Sequence, residues 1–210
     1  MLYTQLPRDL GKFNIKCDEM MFYQYLPIKL KGFEPPILES RLLCFSEIIE
    51  FICIEFIKEY GLKSYKENYI YVTAKKMYQT QGSSFNRKGF HSDGFMTDDI
   101  NYIWSDKCPT VFNRSNFKLT LDDNISMLEM ESQADKRNDF YYPNETLLRL
   151  NQYNIHKVFD GDFEGFRTFL KVSFSKDKYD LKGNSKNYSL DYDWEMRERQ
   201  TKRNIPQKLK

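Results

Sequence analysis

Two histidines, His91 and His156, are all that the 210 residues contain. The first stands in the triplet His91-Ser92-Asp93, inside the stretch Gly89-Phe90-His91-Ser92-Asp93-Gly94. On an extended segment, side chains two residues apart project to the same side, so the imidazole and the carboxylate can reach one ion. Two imidazoles and one carboxylate are the ligand set of a facial-triad iron(II) site, which leaves the remaining metal positions open. His156 would have to arrive from a second strand. Eleven residues after it comes Arg167, opening the alternating run Arg167-Thr168-Phe169-Leu170-Lys171-Val172-Ser173-Phe174. A guanidinium there can hold the far carboxylate of a bidentate ligand, because its planar fork matches carboxylate geometry. Thr168, Leu170, Val172 and Phe174 should face the other way. Imidazoles bind metal only when neutral, so such a site should weaken as pH falls through the histidine range.

The order His-x-Asp, distal His, then Arg about ten residues on resembles the iron(II)/2-oxoglutarate-dependent oxygenases. The resemblance covers roughly Tyr69 to Ser175, about half the chain. It implies a double-stranded β-helix (jelly roll), mainly β with flanking helices. It also implies iron(II) held by His91, Asp93 and His156, with 2-oxoglutarate anchored by Arg167. Many relatives carry a Ser two residues after the Arg. Here that position is Phe169, so a helper must come from elsewhere, and Thr110 and Tyr78 are the candidates. Lys171 shares the Arg167 face and competes for the anchoring role. Halogenating relatives lack the carboxylate ligand, so Asp93 points to hydroxylation.

The elements that must position these residues follow from periodicity. Leu42, Leu43, Ile48, Ile49, Ile52 and Phe56 recur at helical spacing over Glu39 to Tyr60, with Glu47, Glu50, Lys58 and Glu59 on the other side and Gly61 as a stop. This helix should brace a sheet from outside. Tyr69 to Ala74, Tyr102-Ile103-Trp104, Pro109 to Phe112, Phe117 to Thr120, Thr146 to Leu150 and Phe166 to Ser175 read as strands. Phe22 to Pro27 can be a further short strand, and Ser126 to Ser132 fits either strand or helix. Gln79 to Gly89 is a polar loop delivering His91. Tyr188 to Trp194 holds apolar residues that can dock on the body. One domain over 1–210 is expected, with 1–37 an arm packed on the body and 195–210 a flexible basic tail that includes Arg197, Arg199, Lys202, Arg203, Lys208 and Lys210.

The near balance of 32 basic and 30 acidic residues demands no polyanionic partner. Cys17, Cys44, Cys53 and Cys108 lack CxxC spacing, which argues against a thiolate zinc site and a disulfide framework. Cys44 and Cys53 fall in an apolar segment as small hydrophobes, and a reducing cytoplasm is the simplest compartment. No secretory signal or membrane span is expected: the most apolar stretch, Leu42 to Ile57, is broken by Glu47, Glu50 and Glu55.

The function expected is therefore a 2-oxoglutarate oxygenase hydroxylating a small polar substrate, such as an amino acid or natural-product building block, with O2. Glu129, Glu131, Arg149, Asn151 and Gln152 are candidates to line a pocket for a zwitterion. The alternatives are oxidation or demethylation of a nucleic-acid base, oxidation of a protein side chain, and a non-catalytic or cupin-like metal-binding jelly roll. A base-oxidising enzyme would need a basic groove with stacking aromatics, and nucleic acid is not the expected partner.

Overall fold

The computed structural model describes residues 2–81 and 88–199. Among the described residues eleven strands pair antiparallel into three sheets, with two α-helices beside them. The strands are β1 (Leu2–Tyr3), β2 (Arg8–Lys12), β3 (Met21–Lys29), β4 (Tyr69–Gln79), β5 (Ile100–Ser105), β6 (Val111–Asn113), β7 (Phe117–Lys118), β8 (Asp139–Tyr141), β9 (Thr146–Leu150), β10 (His156–Lys157) and β11 (Gly165–Ser175). The helices are α1 (Ser46–Glu67) and α2 (Asp123–Gln133). The large sheet runs β2-β9-β5-β11-β4-β3, a small one β10-β6-β8, and β1 pairs with β7.

β11 is central because both its neighbours are long and in register. Val172 lies opposite Val72 on β4 and Tyr102 on β5. Its residues alternate between two environments, as a period of two requires. Leu170, Val172 and Phe174 join Ile70, Val72 and Ala74 of β4 in the largest apolar cluster, where they meet Ile48, Ile52 and Phe56 of α1. Phe56 stacks on Phe174 with ring centroids 3.9 Å apart. α1 thus covers one face of the large sheet. On the opposite face Ile103, Leu148 and Leu150 pack against Phe112 of the small sheet. The two sheets therefore face each other, and the candidate metal ligands lie between them.

Several boundaries differ from the sequence pattern. The helix expected from Glu39 opens as a 3-10 turn, Ser40–Phe45, and becomes α-helical only at Ser46. Gly61, at φ 81°, breaks the helix but does not end it, and a last turn resumes to Glu67. Lys29 explains why that turn is held. Its buried ammonium donates to the carbonyl oxygens of Tyr65 and Asn68 at 3.0 and 2.9 Å, and to that of Leu30 at 2.8 Å. A cation there satisfies carbonyls that a helix end leaves unpaired. Ser126 to Ser132 resolves as helix α2, capped by Asp122, whose side chain accepts from the backbone N–H of Asn124 and Ile125.

Cys17 and Cys44 are joined by a disulfide with Cα atoms 5.7 Å apart, where free cysteines were expected. Spacing along the chain carried no sign of it, since 27 residues separate the pair. The bond removes the cysteine argument for a reducing compartment. Cys53 and Cys108 are free and buried. No helix among the described residues is long and apolar enough to cross a membrane.

The segment after β11 returns along edge strand β3. Ser185 exchanges hydrogen bonds with the backbone of Gln24, and buried Asn187 donates to the carbonyl of Pro27. Trp194 packs edge-on to Tyr69 at 5.5 Å and so docks on the body as expected, whereas Tyr188 stays exposed. Arg197 pairs with Asp180. Lys202, Arg203, Lys208 and Lys210 lie outside the described residues, as does 82–87 of the loop that leads to His91.

Candidate metal centre

His91 and His156 belong to one isolated antiparallel bridge. Each donates its backbone N–H to the other's carbonyl at 2.9 Å. This exchange brings two residues 65 positions apart into contact, with ring centroids 4.5 Å apart. His156 is also fixed by β10, where it lies opposite Phe112 of β6. His91 is fixed from below by α2, because Glu131 accepts the backbone N–H of neighbouring Phe90 at 2.9 Å.

Asp93 enters through a turn. Ser92 donates to the carbonyl of Gln152 at 2.6 Å, and the N–H of Thr97 closes onto the carbonyl of Gly94 at 2.9 Å. Gly94 sits at φ 71°, and a Cβ there would come within 2.9 Å of Asp99 Cβ and Thr97 Oγ1. Only glycine fits that conformation and that space.

One ligand atom from each of His91, Asp93 and His156 lies within 4.8 Å of the others, so the three can hold a metal ion. Nε2 of His156 is 3.6 Å from Oδ2 of Asp93. The outer nitrogens are occupied: His91 Nδ1 is 3.1 Å from the carbonyl of Gly89, and His156 Nδ1 is 2.9 Å from that of Asn154. Each carbonyl can accept only an N–H, which puts the proton of both neutral rings on Nδ1 and leaves Nε2 as the ligating nitrogen. This donor set fits a divalent first-row ion.

The same three side chains line a cavity of about 580 Å³ between the two sheets. Arg167, Phe169 and Lys171 of β11 line it too, as do Thr73 and Lys75 of β4, Ile103 of β5 and Thr110 ahead of β6. The alternation read along β11 thus places Arg167 and Lys171 on the cavity side. Arg167 is buried, and its Nε and Nη2 donate to the carbonyls of Lys107 and Cys108 at 2.9 to 3.2 Å. Burial pushes its pKa down, although Cys108 and Asp106 oppose the shift.

Lys171, on the same face of β11 as Arg167, contacts the carboxylate of Asp93. Its Nζ is 3.0 Å from Asp93 Oδ2. Burial works against charge on Asp93, but Lys171, then His156 and His91, hold its carboxyl well below the usual range. In return Asp93 raises the pKa of Lys171 above the usual lysine value, against the opposing effect of burial.

Tyr78 is not part of this cavity. It is exposed, bonds Glu164 at 3.0 Å and stacks edge-on with Phe166. The polar residues considered for a zwitterion pocket are engaged elsewhere. Arg149 pairs with Glu59 of α1, Glu129 binds Thr120, Glu131 holds Phe90, Asn151 reaches Gln5, and Gln152 accepts from the N–H of Met96. Lys75 and Tyr25 were missed. Both sit on strands, and Lys75 alternates inward with Thr73, a pattern that could have revealed it. No protein-family model matches the chain, and no curated protein sequence matches it.

Proposed function

We propose that the chain is an iron(II)/2-oxoglutarate-dependent oxygenase on a jelly-roll scaffold, hydroxylating a small polar molecule. One observation carries the reading: His91, Asp93 and His156 converge in a cavity that also holds the buried guanidinium of Arg167. In this reading the three residues hold the metal through Nε2, Nε2 and a carboxylate oxygen. The carbonyls of Gly89 and Asn154 keep both imidazoles in the ligating tautomer. Bound iron(II) and 2-oxoglutarate supply the activation of O2. Arg167, gripped by two carbonyls through Nε and Nη2, offers its other edge to the far carboxylate of the co-substrate. Thr110 adds a hydroxyl to the same wall. Phe169 closes the floor beside Arg167, whose guanidinium carbon lies 5.2 Å from the ring centroid. This apolar contact keeps water from the anchored carboxylate and strengthens its pairing.

A second reading rests on the Lys171–Asp93 contact. An ammonium on that carboxylate can satisfy it without a metal, which would make the cavity a binding pocket of another class.

Anaerobic addition of iron(II) and 2-oxoglutarate separates the two. The oxygenase reading expects a visible charge-transfer absorption, then succinate release on admitting O2 with free amino acids, nucleosides or short peptides as trial substrates. Arg167→Ala should keep the metal but weaken 2-oxoglutarate at least about tenfold. His91→Ala and Asp93→Ala should lose the metal while staying folded. A native chain that takes up no divalent ion would leave only the Lys171 reading.

A further inference from the structure

Granting the oxygenase reading, we infer a second function for this fold: a relay of Tyr25, Tyr179, Tyr71 and Trp194 that carries an oxidising equivalent out of the cavity when O2 is activated with no substrate in place. The backbone singles out its first member. The pairing of β3 with β4 shifts register between Tyr23 and Leu26, and Tyr25 in that bulge sits at φ 48°. A bulky residue rarely adopts a positive φ, and bulges re-aim side chains beside functional sites. Here the Tyr25 N–H is held by Thr73 Oγ1 at 3.1 Å, and the side chain lines the cavity. Its hydroxyl oxygen is 3.5 Å from the Lys171 ammonium, which is 3.0 Å from Asp93.

From Tyr25 the rings follow one another to the half-buried Trp194. Tyr179 meets Tyr25 edge-on with centroids 5.1 Å apart, and stacks on Tyr71 of β4 at 4.1 Å. Trp194 lies 6.2 Å from Tyr71, with Tyr192 a further 4.7 Å on. Tyr and Trp are the aromatic side chains that release an electron readily. Phe22 and Phe169, which also line the cavity, cannot serve. Tyr179 is the resting station because it has a base. Its hydroxyl donates to Asp99 Oδ2 at 2.6 Å, and Asp99 is buried against the turn at Gly94. Burial, then the charge of Asp99, raise the Tyr179 pKa well above the ordinary tyrosine value, so the proton stays until an electron leaves. The Tyr71 hydroxyl instead donates to a neutral carbonyl, that of Asp177, at 2.9 Å, so this ring conducts without holding the radical.

In the first step one electron passes from Tyr179 through the Tyr25 ring to the over-oxidised metal centre, and the phenolic proton moves to Asp99. That leaves a neutral Tyr179 radical, a protonated Asp99 and a centre one electron lower. In the second step Trp194 returns an electron through Tyr71, and Asp99 returns the proton. A soluble reductant, ascorbate or a thiol, then gives one electron to Trp194.

The test loads the chain anaerobically with iron(II) and 2-oxoglutarate, mixes it with O2 but no substrate, and freeze-quenches it for electron paramagnetic resonance. A tyrosyl radical should form in the native chain and be lost in Tyr179→Phe. On addition of ascorbate the native signal should decay several-fold faster than that of Trp194→Phe, in which refilling is cut. Both variants should keep the charge-transfer absorption, which reports loading independently. After repeated exposure to O2 with ascorbate, peptide mass mapping should find several-fold more oxygen inserted around Tyr25 and Phe169 in either variant than in the native chain. A loaded native chain that forms no tyrosyl radical would overturn the inference. So would a radical unchanged in Tyr179→Phe, a decay unchanged in Trp194→Phe, or equal cavity oxidation in all three chains. Absence of the absorption in the native chain would instead count against the oxygenase reading.

Discussion

At the scale of single residues, Asp93 has two suitors. Lys171 satisfies it in the absence of a metal, and a divalent ion beside it must share that carboxylate with an ammonium of like sign. The two cations repel, and in a cavity of reduced dielectric the repulsion is felt over several ångströms. Lys171→Met should therefore bind manganese(II) more tightly than the native chain, by roughly tenfold. Equilibrium titration of both proteins checks this, and weaker binding in the variant would mean that Lys171 helps to build the site. Lys75 makes the complementary prediction about stability. Its folded pKa, about 8, lies below the value of 10.5 for a free lysine. Below pH 8 both states are charged and the folded one carries the whole cost. Between pH 8 and 10.5 the unfolded chain binds the extra proton, so stability gained from this group rises with pH. Lys75→Met should then be more stable than the native chain at pH 7, by roughly 1–2 kcal/mol after allowance for screening. The gap should close by about pH 10. Urea unfolding of both chains at the two pH values measures it.

At the scale of elements, β11 separates function from stability by alternation alone. Phe174 and its even-numbered neighbours bury against α1, while Arg167, Phe169 and Lys171 face the cavity. Phe56→Ala removes the ring stacked on Phe174 and should cost about 3–5 kcal/mol. Metal affinity, measured well below the unfolding transition, should stay within about twofold, because the sheet lies between the lesion and the site. A large loss of affinity would show that α1 shapes the cavity through the sheet. The same alternation made β4, β5, β9 and β11 legible from the sequence, as did the helical spacing of Ile48, Ile52 and Phe56. The convergence of His91 with His156 was only inferable, since it depends on a two-residue bridge that no periodicity announces. Lys75 escaped notice because lysines in a strand, here Lys75-Lys76, usually mark a solvated face. Here the facing sheet turns it inward. α2 was ambiguous because its short apolar run, Met127, Leu128 and Met130, suits either period, and the cap at Asp122 decides it.

At the scale of the molecule, the large sheet has a covered face, a cavity face and an edge at β3 that needs protection. Unpaired strand edges invite association, and a returning segment that bonds to the edge suppresses it. The 182–199 segment does this with Ser185 and Asn187, and the same cover delivers Arg199 to the cavity mouth. The Cys17–Cys44 disulfide secures the other approach to β3, tying the chain just before that strand to the 3-10 turn that leads into α1. Buried Cys17 also gives its carbonyl to Lys76 of β4. Closing a loop of 27 residues restricts the unfolded chain and should contribute about 2–4 kcal/mol. Cys17→Ser with Cys44→Ser should unfold at correspondingly lower denaturant, and dithiothreitol should bring the native chain to the same midpoint while leaving the double variant unmoved. Because neither cysteine lines the cavity, metal uptake at low denaturant should be the same with and without the bond. If reduction left the midpoint unchanged, the arm before β3 would be held by packing alone. If it abolished metal uptake in chains that stay folded, the arm would have to reach the cavity through β3, whose Phe22, Gln24 and Tyr25 line it.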